Sequence, residues 1–235
     1  MPSVIFQACE LNWDTPAGRR LDLLAQLLPP DPRHRIIVFG SAPLQMLLAA
    51  DFLSGDVDIF QYEETDLELF VAQNGLAASP ETFGFQVTDR HVFRSTSTWR
   101  DRATVVERCG HLFLIPHPWD ILVGKLHRLE EKDLEAFRLV IHLTGGPTAE
   151  EFAHHLQDAV DHFRPKFDEE SAGGDLLLNT QVLWETVYRS SIDVRAQIIR
   201  PALERLRLGY EAQNRGDASL KTRLANLAGG DVSLP

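Results

Sequence analysis

The sequence has few cysteines and no long apolar run. Its 235 residues include two cysteines, Cys9 and Cys109, which do not form a CxxC motif. This pattern excludes a small disulfide-stapled secreted domain and favours a reducing compartment. No apolar stretch approaches the roughly 18 residues that a membrane helix needs, and the N-terminus lacks the features of a signal peptide. We therefore expect a cytoplasmic protein without a membrane partner.

The chain is also poor in positive charge. It has 23 lysines and arginines against 34 acidic residues, and its net charge is -11. Nonspecific binding of DNA relies on neutralising phosphates with basic side chains, so this balance argues against such binding. It does not exclude a local basic pocket. The hydrophobic content of 44% is ordinary for a globular protein, and the length allows one or two domains.

Apolar periodicity in the front half indicates helices alternating with strands. The predicted elements are a helix over 18–28, a strand in "RHRIIVFGS", a helix in "APLQMLLAADFL", a strand in "GDVDIFQY", and a helix in "DLELFVAQNGL" that ends near Gly75. Residues 84–94 and 104–115 also have strand patterns, and the second stretch breaks at Cys109-Gly110 as a hairpin does.

The pattern changes after residue 118. Apolar residues at 119, 122, 126, 129, 134, 137 and 140 predict one long helix. Thr148 and Glu151 then form a capping-box pattern that opens a further helix, and helical patterns continue to about residue 213. We therefore predict an α+β fold, with a mixed α/β core over residues 1–118. A helical region over 119–235, with a frayed tail, completes or flanks that core.

Two short motifs in the front half are candidates for chemistry. Asp56 and Asp58 are two residues apart on a predicted strand, so their carboxylates lie on one face while Val57 and Ile59 point into the core. Like charges this close repel each other, and a bridging Mg²⁺ would remove the conflict. Gly40 and Ser41 form a strand-to-helix turn that could approach a phosphate. Each motif alone is also compatible with an ordinary turn or with solvated acids at a strand edge.

The order of the motifs resembles a known signature. Hydrophobic-Gly-Ser, a helix, and then Asp-hydrophobic-Asp-hydrophobic looks like the signature of the DNA polymerase β-type nucleotidyltransferase superfamily. The stretch "WDILVGKLHRLEEKDLEAF" is similar to a helix of small bacterial nucleotidyltransferase-like proteins, including the AbiEii toxin type. "STWRDRA" resembles a Trp-x-x-Arg segment that precedes this helix in some of them. The resemblance covers about residues 35–140.

The resemblance implies a Mg²⁺-dependent (or Mn²⁺-dependent) enzyme that transfers a nucleotidyl group from an NTP to a hydroxyl of RNA or protein, with a possible toxin–antitoxin role. Asp56 and Asp58 would hold the metal, and Gly40, Ser41, Lys125 and Asp133 would bind the nucleotide. A continuous helix would place Lys132 on nearly the same face as Lys125. Alternatively, Lys125 is a solvated helix residue or the partner of a nearby acid. Asp133 could orient a lysine or pair across the helix surface. Trp99, Arg100 and Arg102 could cap the nucleotide, or Trp99 could belong to the core.

The chain departs from the pattern at the third carboxylate. Asp101 is our candidate for this catalytic position, with Glu107 and Asp89 as alternatives, and Glu135-Ala136 stands where many relatives carry a second Asp. Two alternatives follow. The chain could be a catalytically degenerate member that binds a nucleotide or a partner, or a scaffold whose helical region buries a face against another subunit.

Overall fold

One open, mixed β-sheet organises the front half of the chain. A computed structural model describes residues 10–31, 35–48, 54–61, 66–89, 92–144, 147–159 and 176–213. In these ranges the strands are β1 (Arg35–Phe39), β2 (Val57–Gln61), β3 (Phe85–Val87), β4 (Thr104–Arg108) and β5 (His111–Ile115). Helices alternate with these strands and make up the described part of the back half. The predicted α+β class is therefore confirmed.

The sheet has the order β3-β2-β1-β5-β4. β1 runs antiparallel to β2 and parallel to β5, β2 runs parallel to β3, and β4 runs antiparallel to β5. The register places Asp58 of β2 between Phe39 at the end of β1 and Gln86 of β3. Asp58 therefore lies next to the point where β1 leaves the sheet and turns at Gly40.

The helices alternate with the strands at first and then follow one another. Their bounds are α1 (Pro16–Leu27), α2 (Ala42–Leu47), α3 (Leu67–Gln73), α4 (Trp99–Arg102), α5 (Pro118–Lys125), α6 (Glu131–Thr144), α7 (Ala149–Leu156), α8 (Leu176–Leu183) and α9 (Arg200–Gln213). Two π-helical turns, Trp184–Tyr188 and Arg195–Ile199, lie between α8 and α9. Within the described ranges, no helix combines the length and the apolar character needed to cross a bilayer.

Each face of the sheet packs in a different core. Val57 and Ile59 point to one face, where they are fully buried with α1 and with Ile36 and Val38. Asp58 and Phe60 point to the other face, as the period of a strand requires. There Phe60 packs with a small aromatic cluster that includes Ile37, Phe39, Phe93 and Trp99. The prediction that Val57 and Ile59 turn into the core is confirmed.

A third core joins α5 and α6 to the later helices. Trp119, Phe137, Phe152 and Trp184 are its large buried aromatic residues. Phe152 stacks on Trp184 with ring centroids 5.7 Å apart. The capping box of α7 is present, because Thr148 accepts from the Glu151 amide and the Glu151 carboxylate accepts from the Thr148 amide. The division of the chain at residue 118 stays a prediction.

The Cys109-Gly110 hairpin is confirmed. Both residues have positive φ, 51° and 83°, as a two-residue turn between twisted antiparallel strands requires. β3 is shorter than the strand predicted over 84–94, because the described chain leaves the sheet after Val87. The predicted segments over 1–9, 49–53, 160–175 and 214–235 lie outside the described residues.

The single long helix predicted after residue 118 is wrong. The chain forms α5, then a turn over 126–130, and then α6. Leu129 in this turn has a φ of 49°, and the Glu130 amide donates to the Asp133 carboxylate at 3.0 Å. Lys132 therefore does not continue the face of Lys125. It is exposed and pairs with Glu130 at 3.3 Å.

Candidate functional site

The Gly40-Ser41 turn lies directly against the Asp58 carboxylate. Gly40 has a φ of 68°, and a Cβ at this position would overlap Oδ2 of Asp58. Only glycine leaves this space to the carboxylate without strain. Ser41 occupies the position before α2, but its side chain makes no capping hydrogen bond to that helix. Its hydroxyl is instead used by a residue from α5.

The Gly40→Ala variant is expected to be less stable than the parent by about 1–3 kcal/mol, because it combines a strained φ with crowding at Asp58. Gly75→Ala is the matched control, since Gly75 has a similar φ of 64° and no heavy atom within 4 Å of an added Cβ. Urea unfolding should show a larger loss for Gly40→Ala than for Gly75→Ala. Equal losses, or an unchanged loss for Gly40→Ala in an Asp58→Ala background, would contradict crowding by the carboxylate.

Asp58 lies in β2, as the sequence predicted, and Asp56 lies immediately before this strand. Asp58 is half-buried. Burial and the negative charge of Asp56 raise the pKa of Asp58 to about 6, although the positive charges of Lys125, Arg128 and Lys132 oppose this rise. A cation bound near Asp58 would therefore strongly stabilise the ionised form of its carboxylate. The positive charges that oppose the rise in the pKa of Asp58 come from a different part of the chain.

Lys125 connects the turn to the helical region. Its ammonium group donates to Ser41 Oγ at 2.9 Å and to Asp133 Oδ1 at 2.8 Å. Lys125 is 8% exposed and Asp133 is fully buried. Because an ammonium group only donates, Ser41 accepts this bond and its own proton points elsewhere. The Ser41 hydroxyl is thus left to donate to another acceptor, such as a phosphate oxygen.

Asp133 serves as the anchor of Lys125. Burial disfavours its charge, but the positive charge and hydrogen bond of Lys125, together with the bonds from the Glu130 amide and Arg128, lower the pKa of Asp133. Both oxygens of Asp133 are engaged, because Oδ2 accepts from the Glu130 amide. Of the alternatives drawn from the sequence, the structure shows Asp133 holding a lysine. Its effect on a nucleotide would therefore pass through Lys125.

The structure does not add Asp101 to the carboxylate pair. Asp101 lies exposed on α4. Across the part of the chain that the structure describes, no three His, Cys, Asp or Glu side chains are grouped closely enough to hold a metal ion. This finding applies equally to Glu107 and Asp89. On β3, the residue beside Asp58 is Gln86, which is neutral and exposed. The catalytic role of Asp101 stays a prediction.

Trp99 belongs to the protein interior, and Arg102 pairs with a buried acid. Trp99 is 6% exposed and packs against Phe93 with ring centroids 5.2 Å apart. Arg102 donates to both oxygens of the fully buried Asp120, at 2.9 and 2.7 Å. Thr96 and His155 also contact this carboxylate. For Trp99, the core alternative holds, and Arg102 has a structural partner in place of a nucleotide.

Asp120 was missed by reasoning from the sequence. Burial alone would raise its pKa, but the hydrogen bonds and charges of His155 and Arg102 outweigh burial and hold the pKa well below its usual range. Asp120 lies in the first turn of α5, the helix that ends at Lys125. Its carboxylate accepts hydrogen bonds from Arg102 on α4 and from Thr96 in the loop before α4. It therefore connects both segments to the start of α5. The one signal in the sequence is a lone acid in the apolar run "WDILV".

Comparison with known proteins shows the family of the chain. Residues 20–140, more than half of the chain, match the family described as "Nucleotidyltransferase of unknown function (DUF6036)". No curated protein and no solved structure gives a match. The matched range begins in α1, ends in α6 and contains every residue of the candidate site. The suspected relation to the nucleotidyltransferase superfamily is therefore confirmed, and the chain belongs to this family of nucleotidyltransferases of unknown function.

Proposed function

We propose that the protein transfers a nucleotidyl group from an NTP to a hydroxyl group of RNA or of a protein. The observation that carries this proposal is the convergence of three separate segments. The Gly40-Ser41 turn, the Asp56/Asp58 segment and the Lys125–Asp133 pair meet where β1 ends and β2 begins. A phosphate-binding turn beside paired carboxylates is the arrangement that phosphate transfer with a divalent metal needs.

Asp56 and Asp58 fit a Mg²⁺ or Mn²⁺ ion. Carboxylate oxygens are the hard ligands that these ions prefer. The raised pKa of Asp58 has burial and Asp56 as its causes, and a bound cation offsets both. When bound, the metal supplies charge neutralisation for the phosphates at the reacting phosphorus. Two protein carboxylates leave room in its shell for water and phosphate oxygens.

The chain's own residues would bind and orient the nucleotide. Ser41 donates to a phosphate oxygen, and Lys125 holds the Ser41 hydroxyl in the orientation that makes this possible. In the reaction the acceptor oxygen bonds to the α-phosphorus, the bond to the β-phosphate oxygen breaks, and pyrophosphate leaves. The acceptor proton passes to a base. Gln86 cannot be that base, because an amide does not accept a proton at neutral pH, and Asp101 remains our candidate for this role.

The test is thermal stabilisation by each of the four NTPs, with and without Mg²⁺. We expect one or more NTPs to raise the melting temperature in a Mg²⁺-dependent manner, and the Asp56→Asn/Asp58→Asn variant to lose this shift. The shift relative to each protein's own ligand-free value is the relevant quantity. The NTP that binds is then used, labelled at the α-phosphate, to look for transfer to RNA and protein. An equal shift in the variant would contradict the assigned metal site.

A second candidate function is nucleotide binding without transfer. Gln86 beside Asp58, and the absence of a third carboxylate from the described part of the site, favour it. A chain of this kind would show the same Mg²⁺-dependent shift with NTP but no transfer of label to any acceptor. Introducing the missing acid as Gln86→Asp gives a direct comparison. Transfer that appears only in this variant would identify the parent as a binding protein.

We further propose that the acceptor or a regulatory partner belongs to a toxin–antitoxin type of system, as the resemblance to AbiEii-type proteins suggests. The helical region is the proposed partner-binding part. Leu178 and Val182 are four residues apart on α8 and are 54% and 37% exposed, which is consistent with an apolar contact. Sedimentation of the purified chain alone and with a co-expressed partner tests this proposal. A monomer that never captures a partner would contradict it.

A further inference from the structure

The turn between α5 and α6 carries two exposed basic residues that share one acid. Arg128 Nε lies 3.0 Å from Glu130 Oε1, and Lys132 Nζ lies 3.3 Å from Glu130 Oε2. The Arg128 and Lys132 side chains are 55% and 64% exposed, and that of Glu130 is 49% exposed. One carboxylate thus spans two cations at the surface. This is also how a phosphate group with several acceptor oxygens would be held.

These two ion pairs do not determine the conformation of the turn. Ion pairs at the surface contribute little to stability, because water screens them. The turn is fixed instead by Asp133, which accepts from the Glu130 amide and holds Lys125. Asp133 also lies 3.4 Å from Arg128, so it orients the guanidinium group from below. Glu130 can leave both cations without loss of the fold.

The basic pair is linked to the candidate site by contacts. Arg128 lies 3.4 Å from Asp133, and Asp133 holds the Lys125 ammonium group that reaches Ser41. The positive charges of Arg128, Lys132 and Lys125 also oppose the rise in the pKa of Asp58. The three cations Lys125, Arg128 and Lys132 share two acids, the buried Asp133 and the exposed Glu130. The group therefore has an excess of positive charge opposite Asp58, and its exposed cations are Arg128 and Lys132. In a chain with a net charge of -11, this is a local reversal of sign.

We propose that Arg128 and Lys132 form a clamp for the triphosphate of the substrate, and that Glu130 occupies the clamp until the triphosphate displaces it. The proposal rests on the proposed function and deepens it, because it replaces Lys125 by Arg128 and Lys132 as the direct phosphate ligands. Lys125 then acts only by positioning the Ser41 hydroxyl, as described above. Glu130 sets a threshold, since a ligand must supply more negative charge than one carboxylate to open the clamp.

The test uses inorganic tripolyphosphate as the probe, without Mg²⁺, and measures its binding to the full chain by calorimetry. Glu130→Gln should bind it about threefold to fivefold tighter than the parent, because a competing ion pair is removed. Arg128→Gln/Lys132→Gln should bind it at least about tenfold more weakly. Glu135→Gln is the matched control, since Glu135 is an exposed acid nearby on α6 and the change in charge is the same.

The comparison between the two glutamine variants decides the outcome. Tighter binding in Glu130→Gln than in Glu135→Gln supports the clamp, also where the parent itself shows no measurable binding. Equal binding in these two variants overturns it. Measurable binding in Arg128→Gln/Lys132→Gln that equals the parent's also overturns it, as does the lack of binding in every variant. All the substituted side chains are largely exposed, and circular dichroism checks that each variant is folded.

A second arm with Mg²⁺ and the stabilising NTP separates this proposal from the proposed function. If the NTP binds and requires Asp58 but not Arg128 and Lys132, the clamp is wrong and the metal site stands. If tripolyphosphate binds through the clamp but no NTP binds, the clamp stands and nucleotidyl transfer is overturned. Failure of one proposal is therefore distinguishable from failure of the other.

Discussion

The Asp133→Ala variant is expected to lose about 3–5 kcal/mol of its free energy of unfolding, which is what the removal of one partner of a buried ion pair costs. Asp133 is fully buried and holds Lys125 at 2.8 Å. Without it, the buried ammonium group keeps the neutral Ser41 hydroxyl as a partner, and that hydroxyl cannot balance its charge. The Glu130 amide also loses its acceptor at the start of α6. Urea unfolding at neutral pH measures the loss.

Two control variants separate the orphaned charge from other effects. Glu135→Ala changes an exposed acid on the same helix and should alter stability by no more than about 0.5 kcal/mol. Lys125→Met/Asp133→Leu removes both charges together and should lose much less than Asp133→Ala, because no unpaired charge remains in the interior. A loss in Asp133→Ala that matches Glu135→Ala would contradict the assignment of Asp133 as the anchor of Lys125.

The stretch from β1 to β2 could be predicted from the sequence because its signals are local. Four apolar residues before Gly40 indicate a buried strand, and the alternation around Asp56 and Asp58 indicates which side chains share a face. The hairpin at Cys109-Gly110 was also predicted from local signals. In each case the residues that determine the structure are within a few positions of one another.

The break between α5 and α6 could not be predicted in this way. Apolar residues continue at helical spacing through Leu126, Leu129 and Leu134, so periodicity correctly indicates burial but cannot reveal that the chain turns. The turn depends on Asp133, which bonds the Glu130 amide and also reaches back to Lys125. The same limit applies to Gln86, whose position beside Asp58 depends on a strand pairing across 28 residues.

The Asp58→Asn variant is expected to be more stable than the parent at neutral pH, by about 1–3 kcal/mol in the absence of a divalent metal. The pKa of Asp58 rises from an ordinary value of 3.8 to about 6 in the folded chain, through burial and the charge of Asp56. Above this pKa, folding has to keep an ionised carboxylate in an unfavourable place. An asparagine has a similar shape and no charge.

The pH dependence has a definite sign. Because the folded chain holds the Asp58 proton more tightly than the unfolded chain does, this group favours folding below its unfolded pKa. Its contribution is lost as the pH rises from about 4 through about 6. The gap between Asp58→Asn and the parent should therefore be small near pH 4 and reach its full size above about pH 7. Melting curves in EDTA across this range measure it, with Glu135→Gln as the control for a lost surface charge.

A stability gain in Asp58→Asn would separate what this carboxylate does for the fold from what it does for a ligand. The core does not need Asp58, because Val57 and Ile59 of the same strand make the buried contacts. An acid that destabilises the folded chain, beside a glycine that alone leaves room for it, is typical of a binding site whose cation is supplied from outside. If Asp58→Asn were instead less stable than the parent at neutral pH, Lys125, Arg128 and Lys132 would outweigh burial. The carboxylate would then be a structural ion-pair partner, and the case for a metal at this position would lose its physical basis.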